Sequence, residues 1–454
     1  MEELLTCKKN TTINHHCQIA VGQHSEVEKK NEPETFSKYH SVFRARLKTY
    51  SKVYKDNLQG RGKSITGISS LKVSDENNRN LIFGIVNKPL RRLETYVKEI
   101  HKPEYLDIGY QRRKKVYSDS DKVWLEDETG RIEIRGEASK GLNVCSFVTG
   151  CPICCQGFVE KNGVFKVKDI IYLPISVKIP SSVASQNIKV PNLQNFNSKV
   201  ILVPGLRATK KLLGTRAYAS FLNKLESGQL EALQGTSTYA FLGGSYASFI
   251  THNPALYYNS LFTKDFESLK TDIDFSSKLI DKCLAQGSRQ IIVSASLSDP
   301  VSSLLPQPPL PSILFEELSK TDNLYLAGNP GKVEINNKQV LFLDGIIVKD
   351  FAYQSDLSFV EIVKQIILLR NCAPSTPNSL ECKTYTREDP LLINEVPDYV
   401  ITSESEELLT SELVYEDAGQ SKSCKIICLP NFQDSGKVYT LDFENSKISI
   451  TDFS

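Results

Sequence analysis

Six short apolar runs recur between residue 199 and the end of the chain: KVILVPG, AFLGG, QIIVSAS, NLYLAGN, QVLFLDG and KIICLP. A strand that is apolar at both odd and even positions has to be covered on both faces. These runs therefore predict a sheet buried between layers. Between them, TRAYASFLNKLESGQLEAL, KDFESLKTDIDFSSKLIDKCLAQG and SDLSFVEIVKQIILLRNC carry helical periodicity. The back of the chain is expected to be α/β. Two stretches interrupt it. PVSSLLPQPPLP at 300–311 is expected as a loop, because proline cannot donate to a sheet interior. Residues 402–417 hold six acids and no base and are expected to be an exposed segment.

The front has a different texture. SLKVSD, NLIFGIVNK, KVWLEDETGRIEIRG, FVTGCPICCQG and GVFKVKDIIYLP are short, β-branched and separated by Gly, Asn and Asp. In VWLEDETGRIEIRG, the turn residues Asp127, Glu128, Thr129 and Gly130 are expected to close a hairpin. About five strands in this span suit a small closed barrel such as an OB-fold. Ahead of it, YHSVFRARLKTYSKVY places Val42, Arg46, Thr49 and Val53 at helical spacing, which predicts an amphipathic helix with a basic outer face. A chain of 454 residues suggests two or three domains. The expected division is a flexible tail at 1–36, the helix and barrel at 37–185, and the α/β part at 186–454, with a Pro/Ser/Asn-rich seam near 180–198.

Charge and residue counts restrict the chemistry. Net charge is +2, but residues 1–120 carry 23 basic and 14 acidic side chains, so any polyanion contact is expected at the front. The six histidines are His15, His16, His24, His40, His101 and His252, leaving His252 as the one imidazole for the last 350 or so positions. Eleven cysteines are spread along the chain, and most are expected to be reduced core fillers. No run of about 18 uncharged apolar residues suggests a membrane span, and the opening MEELLTCKKN lacks the apolar stretch of a secretory signal. A reducing intracellular compartment is expected.

Four motifs invite chemistry and none carries it far. GRGKS at 60–64 has the end of a phosphate loop, but Asn57 stands where the first glycine should be and no buried strand precedes it. GGSYA at 243–247 approaches a nucleophile elbow, yet the single later histidine, His252, is too close in sequence to serve it. CPICC at 151–155 contains a C-x-x-C, but its nearest match is Cys424 and Cys428, in the apolar run KIICLP. The cluster Arg112, Arg113, Lys114 and Lys115 is a candidate DNA-backbone or nuclear-import patch, or simply a solvated loop. A two-metal phosphoesterase would draw on Asp, Asn and several His at strand ends. Asp299 and Asp344 stand at such ends, with no histidine beside them.

Several stretches together resemble one family. They are YHSVFRARLKTY, WLEDETGRIEIRG, LVPGL, SDPVSSLLPQPPLPSILF, LAGNPGKVEINNKQVLFLDG, CAPSTPNSLECKTYTREDPLLINEVPDYV and LPNFQDSGKV. In this order, and especially through LEDETGR with Ala373, Pro374, Pro377, Asp389 and Pro390, the chain is similar to the second (B) subunits of DNA polymerase delta. The B subunits of polymerases alpha and epsilon are cousins of the same class. The resemblance implies an OB-fold barrel joined to a calcineurin-like phosphoesterase domain that has lost its metal ligands. It implies a nuclear, non-enzymatic accessory subunit without a cofactor. Its partners would be the C-terminal metal-binding domain of the polymerase catalytic subunit and a third polymerase delta subunit. Polymerase zeta, a translesion enzyme, is the further partner the family allows, and a weak DNA contact is the remaining one. Two positions depart from the family pattern: Pro311 and Asp398 stand where histidines are usual. Both changes are expected to remove metal capacity. The alternatives are an active metal-dependent phosphodiesterase or exonuclease, and a free-standing single-stranded DNA binder.

Overall fold

The computed structural model describes residues 40–89, 115–136, 142–179, 188–189, 198–206, 214–243, 289–299, 302–315, 317–385, 388–417 and 420–454. Lys38–Ser454 form one compact unit. The tail at 1–36, the boundary expected at 185/186, most of the seam and the helical stretch at 264–287 lie outside the described residues. Among the described residues, no helix is long and apolar enough to cross a membrane.

Helix α1 (His40–Gln59) buries Val42, Ala45, Arg46, Tyr50, Tyr54 and Leu58, a stripe at helical spacing. Arg44, Lys48, Lys52 and Lys55 are exposed on the other side, so the expected basic outer face is present. The strands β1 (Asn80–Asn87), β2 (Val123–Glu126), β3 (Arg131–Arg135), β4 (Pro152–Val159) and β5 (Phe165–Ile171) close into a barrel in the order β1-β2-β3-β5-β4. The β3–β5 pairing is parallel and the other four are antiparallel. This is the OB-fold arrangement. Six consecutive residues of β1 are buried because both its faces are covered. Ile82 and Val86 point into the barrel core, while Leu81 and Phe83 pack with Tyr50, Tyr54 and Leu58 of α1. The expected strand SLKVSD is not one. It is a 3-10 turn at Ile68–Ser70 and a single bridge from Val73 to Val159, since Leu71 and Lys72 find no ladder partner.

The remainder is a stack of two six-stranded sheets with helices outside. A two-residue strand β6 (Ile188–Lys189) precedes β7 (Lys199–Pro204), α2 (Arg216–Glu226), α3 (Gln229–Gln234), β8 (Thr238–Leu242) and β9 (Gln290–Ser294). Then come β10 (Leu324–Ala327), β11 (Gly331–Ile335), β12 (Lys338–Leu343), α4 (Gly345–Tyr353), α5 (Phe359–Leu369) and β13 (Tyr399–Thr402). The last elements are β14 (Leu409–Asp417), β15 (Gln420–Cys428), α6 (Phe432–Ser435), β16 (Lys437–Asp442) and β17 (Ile448–Asp452). One sheet runs β10-β9-β8-β7-β16-β17 and the other β14-β15-β13-β12-β11-β6. Val200, Leu202, Ala240 and Ile292 of the first meet Val333, Phe342, Ile401 and Ile427 of the second in one apolar layer. The first sheet's outer face covers Tyr218, Phe221 and Leu225 of α2. The second sheet's outer face packs on α4 and α5, and this core is continuous with the barrel core.

Two further expectations change here. The helix read through TRAYASFLNKLESGQLEAL breaks into α2 and α3 at Gly228, whose φ of 69° leaves the helical region. The exposed segment expected at 402–417 is exposed only in part. Thr402 to Ser405 are buried, and β14 pairs along its whole length with β15. Glu404 is buried and Glu406 and Glu407 are exposed ahead of the strand, while β14 itself alternates exposed Glu412 and Glu416 with half-buried Leu413 and Tyr415. In addition, GIIVKDFAY, not expected as an element, is α4, capped where the Ile346 amide donates to Asp344 Oδ1 at 3.0 Å.

Candidate functional site

Two polar clusters stand out against the apolar layers, and both join parts of the chain that are remote in sequence. The first sits where α1 meets the α/β part. Arg46 lies on the buried stripe of α1 with none of its side chain exposed. Its Nε donates to Asp389 Oδ2 at 2.7 Å. Nη1 donates to the carbonyls of Gly150, Pro374 and Thr376 at 2.9, 2.8 and 3.1 Å, and Nη2 to Thr376 Oγ1 at 3.0 Å. Asp389 is held in turn by the Asn371 amide at 2.8 Å and the Leu391 N–H at 2.9 Å. Burial opposes the Arg46 charge, but Asp389 and, to a smaller extent, Tyr385 and Tyr50 together outweigh it, and the guanidinium is held above its ordinary pKa. Nearby, the Tyr50 hydroxyl donates to the Arg370 carbonyl at 2.7 Å. One side chain of YHSVFRARLKTY thus clamps both the barrel, through Gly150, and the APSTP…EDP segment.

The second cluster closes the rim where the parallel strands of the two sheets end. Asp344, after β12, is 5% exposed. Its Oδ2 accepts from the Leu297 N–H at 2.7 Å, Ser296 Oγ at 3.0 Å and the Asn329 amide at 3.3 Å. Asp299 Oδ2 accepts from the Ser296 N–H at 2.8 Å. Gln307 donates to the Ser296 carbonyl at 2.8 Å and accepts from Asn329 at 3.1 Å. Burial raises the Asp344 pKa, which favours its neutral form. Two glycines let the strand ends meet: a Cβ on Gly205 would come within 2.2 Å of Asn431 Oδ1, and one on Gly243 within 2.2 Å of Ser403 Oγ. The described rim residues do not fit a two-metal centre, which needs several carboxylate or imidazole donors around each ion. Among the described residues there is no group of three His, Cys, Asp or Glu that could hold a metal. We expect Gly243→Ala, at φ 59° and against Ser403, to cost about 1–3 kcal/mol in urea denaturation. Gly62→Ala, also left-handed at φ 69° but with nothing within 4 Å of its Cβ, is expected to cost less.

The sequence candidates fall out as follows. Asp127 shapes the hairpin turn: its Oδ1 accepts from the Thr129 and Gly130 N–H groups at 2.6 and 2.9 Å. Gly60 to Lys63 close the end of α1, where the Lys63 N–H donates to the Leu58 carbonyl at 3.0 Å. A phosphate loop would precede a helix rather than follow one. Cys154 packs against α1 and Cys155 inside the barrel, and burial pushes the Cys154 thiol up to about 12. Pro311 is exposed at the start of a 3-10 turn. Asp398 lies just before β13, at the end of that strand opposite Thr402 and the rim. It accepts from the Gln339 N–H at 2.8 Å. The change at Asp398 therefore does not bear on metal capacity at the rim, a point that strand direction settles. Arg112, Arg113 and Lys114, together with Ser245 and His252, lie outside the described residues, and of the basic cluster Lys115 alone is described, as exposed. The sequence reading missed the Arg46–Asp389 pairing. The available signal was an arginine inside the stripe Val42, Arg46, Thr49 and Val53, since a buried charge needs a counter-charge.

Comparison with known proteins bears on both parts. The family model for the DNA polymerase delta subunit OB-fold domain matches residues 38–170. The model for the B subunit of DNA polymerases alpha and epsilon matches residues 234–409. The DNA polymerase delta small subunit of Arabidopsis thaliana is 25% identical over 342 residues, covering 74% of this chain and 73% of the relative. That of Saccharomyces cerevisiae is 24% identical over 461 residues, covering 90% and 88%. Among solved structures, an archaeal phosphodiesterase superposes on 56% of this chain and 98% of its own at 10% identity, with a TM-score of 0.26, a likeness too slight to argue from. With one family model on the barrel, another on the α/β part, and small subunits from plants and yeast aligned across both, the chain is similar to the DNA polymerase delta small (B) subunits in both of its parts.

Proposed function

We propose that this chain is a non-catalytic accessory subunit of DNA polymerase delta in the nucleus. In this reading it bridges the C-terminal metal-binding domain of the catalytic subunit and the third subunit, with polymerase zeta as a further host. The observation that carries the reading is the Arg46 clamp, which ties helix, barrel and α/β part into one compact unit. A bridging subunit has to hold two partners at a fixed separation, and a buried charge network linking its modules supplies that rigidity. The rim supports a non-catalytic role, because its described carboxylates are spent on internal hydrogen bonds. Arg112, Arg113, Lys114 and Lys115 remain the proposed import or backbone-contact patch.

The test is affinity purification of the tagged full chain from its own cells. A B-family polymerase catalytic subunit is expected in stoichiometric amount. Recovery of the chain without it would remove the assembly role. Stoichiometric manganese or zinc in the purified chain, together with phosphodiester hydrolysis, would remove the non-catalytic one.

A further inference from the structure

Helix α1 has a second face whose chemistry the clamp does not use. Arg44, Lys48, Lys52 and Lys55 are all exposed. Spacings of four, four and three residues keep them on one side of the helix. At 1.5 Å per residue the row is about 16 Å long, with cations roughly 6 Å apart. None of the four makes an ion pair with a described residue, and Asp56 is the one carboxylate on the helix. Exposed Arg61 and Lys63 continue the positive charge past its end. Like charges four apart repel, and Arg44 also stands near the helix N-terminus, where the dipole disfavours a cation. The row therefore costs stability in the isolated chain, and an external anion would relieve that cost.

We propose that this face tracks the phosphate backbone of duplex DNA without reading its sequence. Its composition favours that occupant over others. A protein partner would want apolar or aromatic anchors at the centre of the contact, and the exposed positions of α1 are His40, Arg44, Lys48, Lys52, Lys55, Asp56 and Gln59. A single-stranded ligand would want aromatic stacking platforms, and these positions offer none. What remains is a rigid line of point charges, which suits phosphates spaced along a duplex. The proposal stands apart from the assembly role, because the full chain on its own can be tested.

The experiment is fluorescence anisotropy of a labelled random-sequence duplex against the purified full chain, with salt raised from about 50 to about 200 mM. Neutralising four phosphates predicts that affinity falls about 100-fold over that range. Changing Arg44, Lys48, Lys52 and Lys55 together to Gln is expected to lower the log–log salt slope by about 3.6. Lys48→Gln or Lys52→Gln alone is expected to lower it by about 1. Because all four side chains are exposed and their mutual repulsion is relieved, the thermal melt of the variant should lie at or slightly above that of wild type. Absence of duplex binding by the wild-type chain at low salt would overturn the proposal. So would an unchanged slope in the fourfold variant, which would put the contact elsewhere, or single variants that leave the slope untouched.

Discussion

Replacing Arg46 by Met is expected to destabilise the chain by about 3–5 kcal/mol, the cost of breaking a buried ion pair from one side. The carboxylate of Asp389 would remain in a site with none of its side chain exposed, and the carbonyls of Gly150, Pro374 and Thr376 would lose their donor. Asp389→Leu should cost a comparable amount, because it strands the guanidinium instead. The double variant should be less damaging than the sum of the two, since neither charge is then left alone. Urea denaturation with each variant measures all three values. The idea fails if Arg46→Met unfolds within about 1 kcal/mol of wild type, or if the two changes simply add. A functional consequence follows from the location of the clamp. Its loss should reduce recovery of the polymerase catalytic subunit with the chain, although no partner is touched directly.

The second large effect is alkaline unfolding near pH 10. Cys151, Cys154, Cys155, Cys372, Cys382, Cys424 and Cys428 are all buried free thiols. Burial pushes Cys151, Cys154, Cys372, Cys424 and Cys428 up to about 12, Cys382 up to about 11, and Cys155 well above its ordinary value. A raised folded pKa means that stability is complete below the unfolded value of 9.0 and is lost as pH rises above it, because the unfolded chain then releases protons that the folded chain keeps. Each thiol costs about 1.4 kcal/mol one unit above its unfolded pKa, so seven cost roughly 10 kcal/mol by pH 10. That is comparable with the whole stability of an ordinary domain.

Lys88 works the other way in this pH range. Burial pushes Lys88 down to about 8, and its Nζ donates to the carbonyls of Cys145 and Gln354 at 2.7 and 2.6 Å. Its lowered pKa adds stability as pH rises from about 8 towards 10.5, but by no more than about 3 kcal/mol, so the thiols dominate. Urea midpoints measured under reducing conditions from pH 8 to 11 should fall steeply above 9. A midpoint that holds constant through pH 10.5 would contradict the account.

Local pattern carried much of the fold. The apolar runs from KVILVPG to KIICLP are β7, β8, β9, β10, β12 and β15, because a strand covered on both faces shows continuous apolarity wherever its partners come from. The hairpin at Asp127 was legible because its turn is closed by a side chain two and three residues away from its donors. The helix α1 and its basic face were legible from helical spacing, but the buried stripe continues through Tyr50, Tyr54 and Leu58, and the expected Thr49 and Val53 are half-buried. Where local pattern failed, a distant partner had decided the outcome. Residues 409–417, with Glu412 and Glu416, became β14 because β15 supplies the ladder. Asp398 fell at the wrong end of its strand for the rim, and strand direction follows from pairing with β12 and β15 rather than from composition.

The sequence by itself therefore determined the main apolar strands, the barrel hairpin, the helix α1, the shortage of imidazoles and, through a handful of ordered motifs, the family resemblance. Tertiary structure alone decided which residues those elements bring together. Arg46 and Asp389 are 343 positions apart, and Asp344 meets Ser296 across 48. Periodicity reports how often a residue faces inward. It says nothing about what waits there, because the free energy of a buried charge depends on a counter-charge delivered by another part of the chain.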